Sequence, residues 1–234
     1  MKRRIALGLS ALLLIAGCSK GSSPSTTTQP KPAASSFPMT ITDDDGAQVT
    51  IAEQPERIVT FAPSDTEIVF ALGLGPQLVG VSGSYDDYPP GADRVERIGG
   101  SGDFGQNPNE ERVVALSPDL MLTISGGEQW KERLRGLGVP VFTINATDFD
   151  DLLHDIRTVG ALTGATAEAE ALTDQMAARA GEIQKNLSAE PAVSCFFEAY
   201  YPPLTTVGPH TFISDVLARA GCRSVSGEAR SDYP

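Results

Sequence analysis

The stretch that most constrains this chain is residues 57–89, RIVTFAPSDTEIVFALGLGPQLVGVSGSYDDYP. It opens on a short apolar run, residues 58–62, too brief and too β-branched for a buried helix and bounded by Pro63, so a buried parallel strand is predicted. A helix follows at once. Ser64 with Glu67 three residues on reads as a capping box, and Ile68, Val69, Ala71 and Leu72 supply an apolar face. Gly73 and Gly75 stop the helix, residues 77–82 read as a second strand, and the chain leaves through Ser84-Tyr85-Asp86-Asp87-Tyr88-Pro89. That is one β-α-β unit.

The flanking sequence extends the same α/β pattern. Residues 38–52 alternate Thr, Ile and Val around Asp43-Asp44-Asp45-Gly46, a hairpin signal expected to cover an edge of the sheet. A short helix within residues 107–116 precedes a strand at 120–124, and a further helix and strand are expected at 129–137 and 140–144. Residues 148–162 are amphipathic, with Phe149, Leu152, Leu153, Ile156 and Val159 at helical spacing. From 166 to 187 the chain is almost uninterrupted helix former, with a stripe of Leu172, Met176, Ala180, Ile183 and Leu187. At 1.5 Å per residue this helix would span about 33 Å. After Pro191, a strand at 193–197 and a helix at 213–220 open a second α/β segment.

The first residues read as an address. Lys2, Arg3 and Arg4 precede an apolar run over residues 5–16, well short of the ~20 residues a membrane-spanning helix needs. Leu14-Ile15-Ala16-Gly17-Cys18 reads as a lipobox, with a signal peptide at 1–17 and Cys18 as the lipid-modified new N-terminus. Residues 18–37, rich in Ser, Thr, Pro and Gly, then form a solvated tether. The formal charge is −12, and three of the eighteen Lys and Arg lie in the signal. The remaining 15 basic against 30 acidic residues, about −15, exclude a nucleic-acid partner, which needs clustered cations.

The order R-I-V, P-S-x-T-E, A-L-G, V-G-V and Y-x-D-Y-P resembles the first lobe of the substrate-binding proteins that feed cobalamin, haem and ferric-siderophore ABC importers. Asn107-Pro108-Asn109, Glu111, Val113, Ala115-Leu116 and Pro118-Asp119-Leu120 are similar to a second motif of that family. The resemblance implies two Rossmann-like lobes at 38–163 and 189–234, joined by one rigid backbone helix at 164–188 that permits modest cleft closure. It implies no catalysis and no resident cofactor. The ligand would be a corrinoid, ferric siderophore or haem, the partners a permease and its ATPase, and the location extracytoplasmic, held to the membrane by lipid. Glu111 matches a glutamate that meets a permease arginine; an exposed ion pair of about 0–1 kcal/mol orients docking and still allows release. The family's second lobe continues past a Y/W-P motif like that at Tyr233-Pro234, so the second lobe here is expected to be incomplete.

The candidate ligand contacts are aromatic. All five tyrosines, Tyr85, Tyr88, Tyr200, Tyr201 and Tyr233, fall in expected cleft-side loops, where a flat apolar ring with a polar tip suits a corrin, porphyrin or siderophore. By the resemblance, Tyr85 and Tyr233 match aromatic contacts of cobalamin binders. Phe104 and Trp130 are added by loop position. His210 stands where the family's G-P-G-T/S-F has its second glycine; it reads either as an axial ligand to haem iron or corrin cobalt or as an exposed loop histidine. His154 reads as a solvent-edge residue. Residues 100–105 spell G-x-G-x-x-G but lead into Gln106-Asn107-Pro108 and not into a helix, which argues against a nucleotide site. Two rivals remain: a hydrolase using Ser64 or Ser101 with His154 or His210, for which no G-x-S-x-G elbow exists, and a small-metal binder, disfavoured by two distant histidines. Cys195 and Cys222 allow a bridge that spacing alone does not establish.

Overall fold

The structure, a computed structural model, describes residues 36–83, 86–99 and 107–234. Residues 32–234 fall in one compact unit. The expected signal peptide, Cys18, most of the tether, Tyr85, Ser101, Phe104 and the glycine-rich 100–105 lie outside the described residues.

Alternating residues make β1 (Met39–Thr42) and β2 (Gln48–Ile51) an antiparallel hairpin, Met39 opposite Ile51. Asp43 closes its turn, accepting a 2.7 Å bond from the Ala47 N–H, and Gly46 takes the positive φ (83°) the turn requires.

Four short strands follow: β3 (Ile58–Thr60), β4 (Leu78–Gly80), β5 (Leu120–Thr123) and β6 (Val141–Thr143). They form one all-parallel sheet in the order β4-β3-β5-β6. Because side chains alternate along a strand, the sheet has two apolar faces. Ile58, Leu120, Leu122 and Phe142 face α1 (Pro63–Ala71) and α4 (Phe149–Thr163), meeting Ile68, Val69, Ile156, Val159 and Leu162. Val59, Met121 and Val141 face the other way, toward Val113 of α2 (Glu110–Ala115) and Trp130 and Leu134 of α3 (Glu128–Gly136). Full burial of each such side chain contributes about 1.5–3 kcal/mol. The α/β class read from the sequence is therefore what the chain adopts.

The hairpin does cover a sheet edge, that of β6. Outward-facing groups of β6 are taken up one by one: the Val141 carbonyl by Arg135, the Thr143 N–H by Asp43 Oδ2 (3.2 Å), the Thr143 carbonyl by the Asp44 N–H (3.2 Å) and the Asn145 N–H by Asp44 Oδ2 (2.6 Å). Lys131, 1% exposed, ties the turn down further, donating to Asp45 Oδ2 (2.5 Å), the Ile124 carbonyl and Thr143 Oγ1.

The capping box at Ser64 does not form. Pro63 takes the first helical position, where its missing N–H costs nothing, so extended Ala62 is the N-cap and no side chain caps the helix. Ser64 is displaced into the first turn.

Helix α4 ends at Gly164 (φ 76°) and α5 (Thr166–Leu187) starts two residues later. The two pack so closely that a Cβ on Gly160 would lie 2.4 Å from the Ala169 Cβ. The 22-residue α5 is unbroken, with the bounds the sequence predicts. Its first half packs on the first core through Ala169, Leu172 and Met176. Its second half, with Ala180 and Ile183, runs beside Val216 of α6 (Phe212–Arg219) and Ala220, the C-cap of that helix. Beyond it, β7 (Val193–Cys195) and β8 (Cys222–Ser224) form a separate two-stranded parallel sheet with α6 as its crossover. Strand β7 stops two residues short of the expected 193–197. The Cys195–Cys222 disulfide joins the strands, with Cα atoms 5.9 Å apart. Arg219 joins α6 to α4, bonding Asp215 (2.6 Å) and Asp150 (2.9 Å) and lying over the Phe149 ring.

Candidate ligand-binding site

In the sheet order, β3 leads through α1 to β4 on one side, and the chain then crosses to β5 on the other. The strand order thus reverses between β3 and β5, and a crevice is expected outside the carboxyl ends there. Two adjoining cavities occupy that end and the flank of α1, sharing Ser64, Ile68, Leu152 and Phe212. The inner one, about 230 Å³, is bounded by the start of α1, by Ile124 after β5, by Ile144, Asn145 and Ala146 after β6, and by Asp155 of α4. The outer one, about 610 Å³, runs between α1 (Glu67, Phe70), Tyr88-Pro89, and Leu172 and Met176 of α5. Phe212, the first residue of α6, closes onto both, so the second sheet's crossover helix contributes to the wall.

The floor carries buried acids. Asp65 lies on α1 at three and four residues before Ile68 and Val69, which turns it inward; it is fully buried and its Oδ2 has no hydrogen-bond partner. Its Oδ1 receives a long bond from Ser64 Oγ (3.5 Å). Burial, reinforced by the Asp86 and Asp155 charges, pushes the Asp65 carboxyl well above the usual carboxylate range. Asp155 lies within the α4 apolar face, and burial, with Asp44 and Asp151 nearby, pushes it up to about 7. Asp86 is buried too: Ser82 Oγ donates to its Oδ2, and its Oδ1 is unpartnered. Neither cavity has a Lys or Arg among its described lining residues.

Of the expected site residues, Tyr88 lines the outer cavity and is 63% exposed. Tyr200, Tyr201 and Tyr233 are exposed on loops of the second segment. Those loops are stitched together: the Tyr200 N–H and Thr205 carbonyl pair across a turn, and residues 206–208 bond to Asp232 and Pro234. His210 is exposed just before α6, whose N-cap is Thr211. Trp130 is not a cleft residue. It is 2% exposed on the opposite face of the sheet, edge-on to Phe61 at 5.3 Å, because its spacing to Leu134 places it on the inward stripe of α3. Glu111 is exposed in the first turn of α2, where the helix dipole favours an acid, while its neighbour Glu110 is held by Arg133 (2.6 Å). Among the described residues no cluster of three or more metal-ligating side chains occurs. Asp65 and Asp155 escaped the sequence reading, although an acid set into an apolar 3.6-residue period is a visible signal.

A parallel sheet with cavities at the carboxyl ends of its strands, closed by an element from beyond a long connecting helix, has the build of an α/β ligand-binding protein. The match is specific: a model of the periplasmic binding protein family covers residues 58–234, and the chain belongs to that family. It is 33% identical over 229 residues to the ABC transporter substrate-binding lipoprotein YvrC of Bacillus subtilis (strain 168), covering 93% of this chain and 71% of that protein. It is 29% identical over 185 residues to the vitamin B12-binding protein of Yersinia pestis (strain Pestoides F), covering 78% of this chain and 64% of that protein, so it spans less than two thirds of this relative's length. Its fold is similar to that of the periplasmic vitamin B12-binding protein BtuF of Vibrio cholerae, with TM-score 0.68 and 25% identity over 77% of this chain and 69% of that one.

Proposed function

We propose that this chain is the extracytoplasmic substrate-binding component of an ABC importer. It captures a corrinoid or ferric-siderophore chelate between two lobes, built on the four-stranded and two-stranded sheets, and delivers it to a permease. The observation that carries this is the pair of adjoining cavities at the carboxyl end of the parallel sheet, walled in part by Phe212 from beyond α5. An apolar space of about 610 Å³ with a few polar groups suits part of a large chelate. Tyr85, Tyr88, Tyr200, Tyr201, Tyr233, Phe104 and His210 are proposed to contact it, Glu111 to meet the permease, and Cys18 to carry the lipid. The role is binding without turnover: Ser64 Oγ bonds Asp65, not a histidine, and His154 and His210 are exposed.

The test is a calorimetric titration of the purified chain with cyanocobalamin, haemin and ferric hydroxamates. One chelate class is expected to bind at one per chain, and Tyr88→Ala to weaken it about tenfold, the loss of one aromatic contact. Failure of every chelate to bind, or turnover of ester substrates, overturns the reading.

A further inference from the structure

Within the inner cavity, one observation is not explained by folding. Asp65 is fully buried, yet Oδ2 has no partner, which costs about as much as a lost hydrogen bond and is rare in a native interior. The space beside it, about 230 Å³, is several times the roughly 30 Å³ that a water molecule occupies. Ile68, Ile124, Ile144 and Leu152 wall it, while Ser64, Asp65, Asn145 and Asp155 supply its polar groups. That lining chemistry suits an apolar stem that carries a hydrogen-bond donor. Lys131 does not satisfy the acids, since its three donor bonds go to Asp45, Ile124 and Thr143.

We propose that the inner cavity is a subsite for an N–H donor arm, a primary ammonium or a primary amide, carried by the chelate and held by Asp65 and Asp155; it disfavours chelates whose periphery is anionic. The inference rests on the chelate-binding reading and narrows the ligand class within it. With Asp44 approaching from the hairpin turn, Asp151 from α4 and Asp86 from the loop after β4, the surroundings of the two acids are negative on several sides, and Lys131 is the cation opposing them at Asp65. An arriving carboxylate would meet this field with no cation in the lining to receive it. An ammonium would be received, and a carboxyl that ionises to meet it passes its proton to solvent, so ammonium binding releases a proton and amide binding does not.

The test uses four probes on the full chain: a linear ferric trihydroxamate with a free terminal ammonium, its N-acetylated counterpart, cyanocobalamin with its peripheral amides, and haemin with its two carboxylates. If the arm is an ammonium, the free form binds about tenfold or more tighter than the acetylated form. The preference then collapses in Asp65→Asn, and the binding heat varies with the buffer's ionisation enthalpy. If the arm is an amide, cyanocobalamin binds, its affinity survives Asp65→Asn, which keeps a carbonyl acceptor, and falls about tenfold in Asp65→Leu. Thermal unfolding of both variants checks that each still folds. Equal binding of the two hydroxamates with cyanocobalamin indifferent to Asp65→Leu, or tightest binding of haemin, overturns the subsite and leaves the chelate reading standing. Binding of none of the four overturns both.

Discussion

At the scale of single residues, Asp155 makes stability depend on pH in an unusual direction. Its folded-state carboxyl titrates at about 7, well above the range it has in an unfolded chain. Between about pH 4 and pH 7 the folded protein holds a proton that the unfolded chain has released, so stability falls as pH rises through that window and levels off above it. Asp155→Asn is expected to change little at pH 4 and to stabilise the protein at pH 8 by on the order of 2–4 kcal/mol, measured by urea unfolding at both pH values. No difference between the two pH values would show that the native site already relieves the charge. Asp65 and Asp155 were open to sequence reading because each sits where the helical period asks for an apolar side chain, as Trp130 sits where Leu134 repeats. The tyrosines were less legible. Loops have no period, and residue type alone does not tell whether a ring on a loop faces a groove.

At the scale of elements, α4 and α5 form a close hairpin that depends on one glycine. A Cβ at Gly160 would meet the Ala169 Cβ at 2.4 Å and the Ala165 carbonyl oxygen at 3.0 Å, whereas a Cβ at Gly181 would meet nothing within 4 Å. Gly160→Ala is therefore expected to destabilise by about 1–3 kcal/mol, the range for overpacking. Gly181→Ala should stabilise by up to about 1 kcal/mol through helix propensity. Thermal or denaturant unfolding of the pair tests both signs, and equal effects would contradict the packing. The bounds of α5 were readable because its helix formers run between Gly164 and the Pro191 region with Gly181 as the weakest helix former among them. The start of helix α1 was misread by two positions, Ser64 for Ala62 as N-cap, because proline's preference for the first turn outweighs serine's for the cap. Strand β8 went unseen because Cys222-Arg223-Ser224 has no alternation to read; its pairing with β7 comes from tertiary context.

At the scale of the whole molecule, the two sheets are secured differently. The four-stranded sheet is buried on both faces, while α6 has no fully buried residue, so the second sheet leans on the Cys195–Cys222 bridge. With a sequence separation of 27 between the cysteines, the bridge is expected to contribute about 3–4 kcal/mol by restricting the unfolded chain. Reduction should strip hydrogen-exchange protection from β7, β8 and α6 and leave β3, β5 and β6 protected; uniform loss would mean that the two sheets unfold as one. The hairpin docked on β6 bears on how copies of the chain meet. A strand whose outward amides and carbonyls already answer to Asp43, Asp44 and Arg135 offers no template to a neighbouring molecule, so at this flank the sheet cannot lengthen by recruiting another chain's backbone. That termination favours separate copies over fibrous assembly.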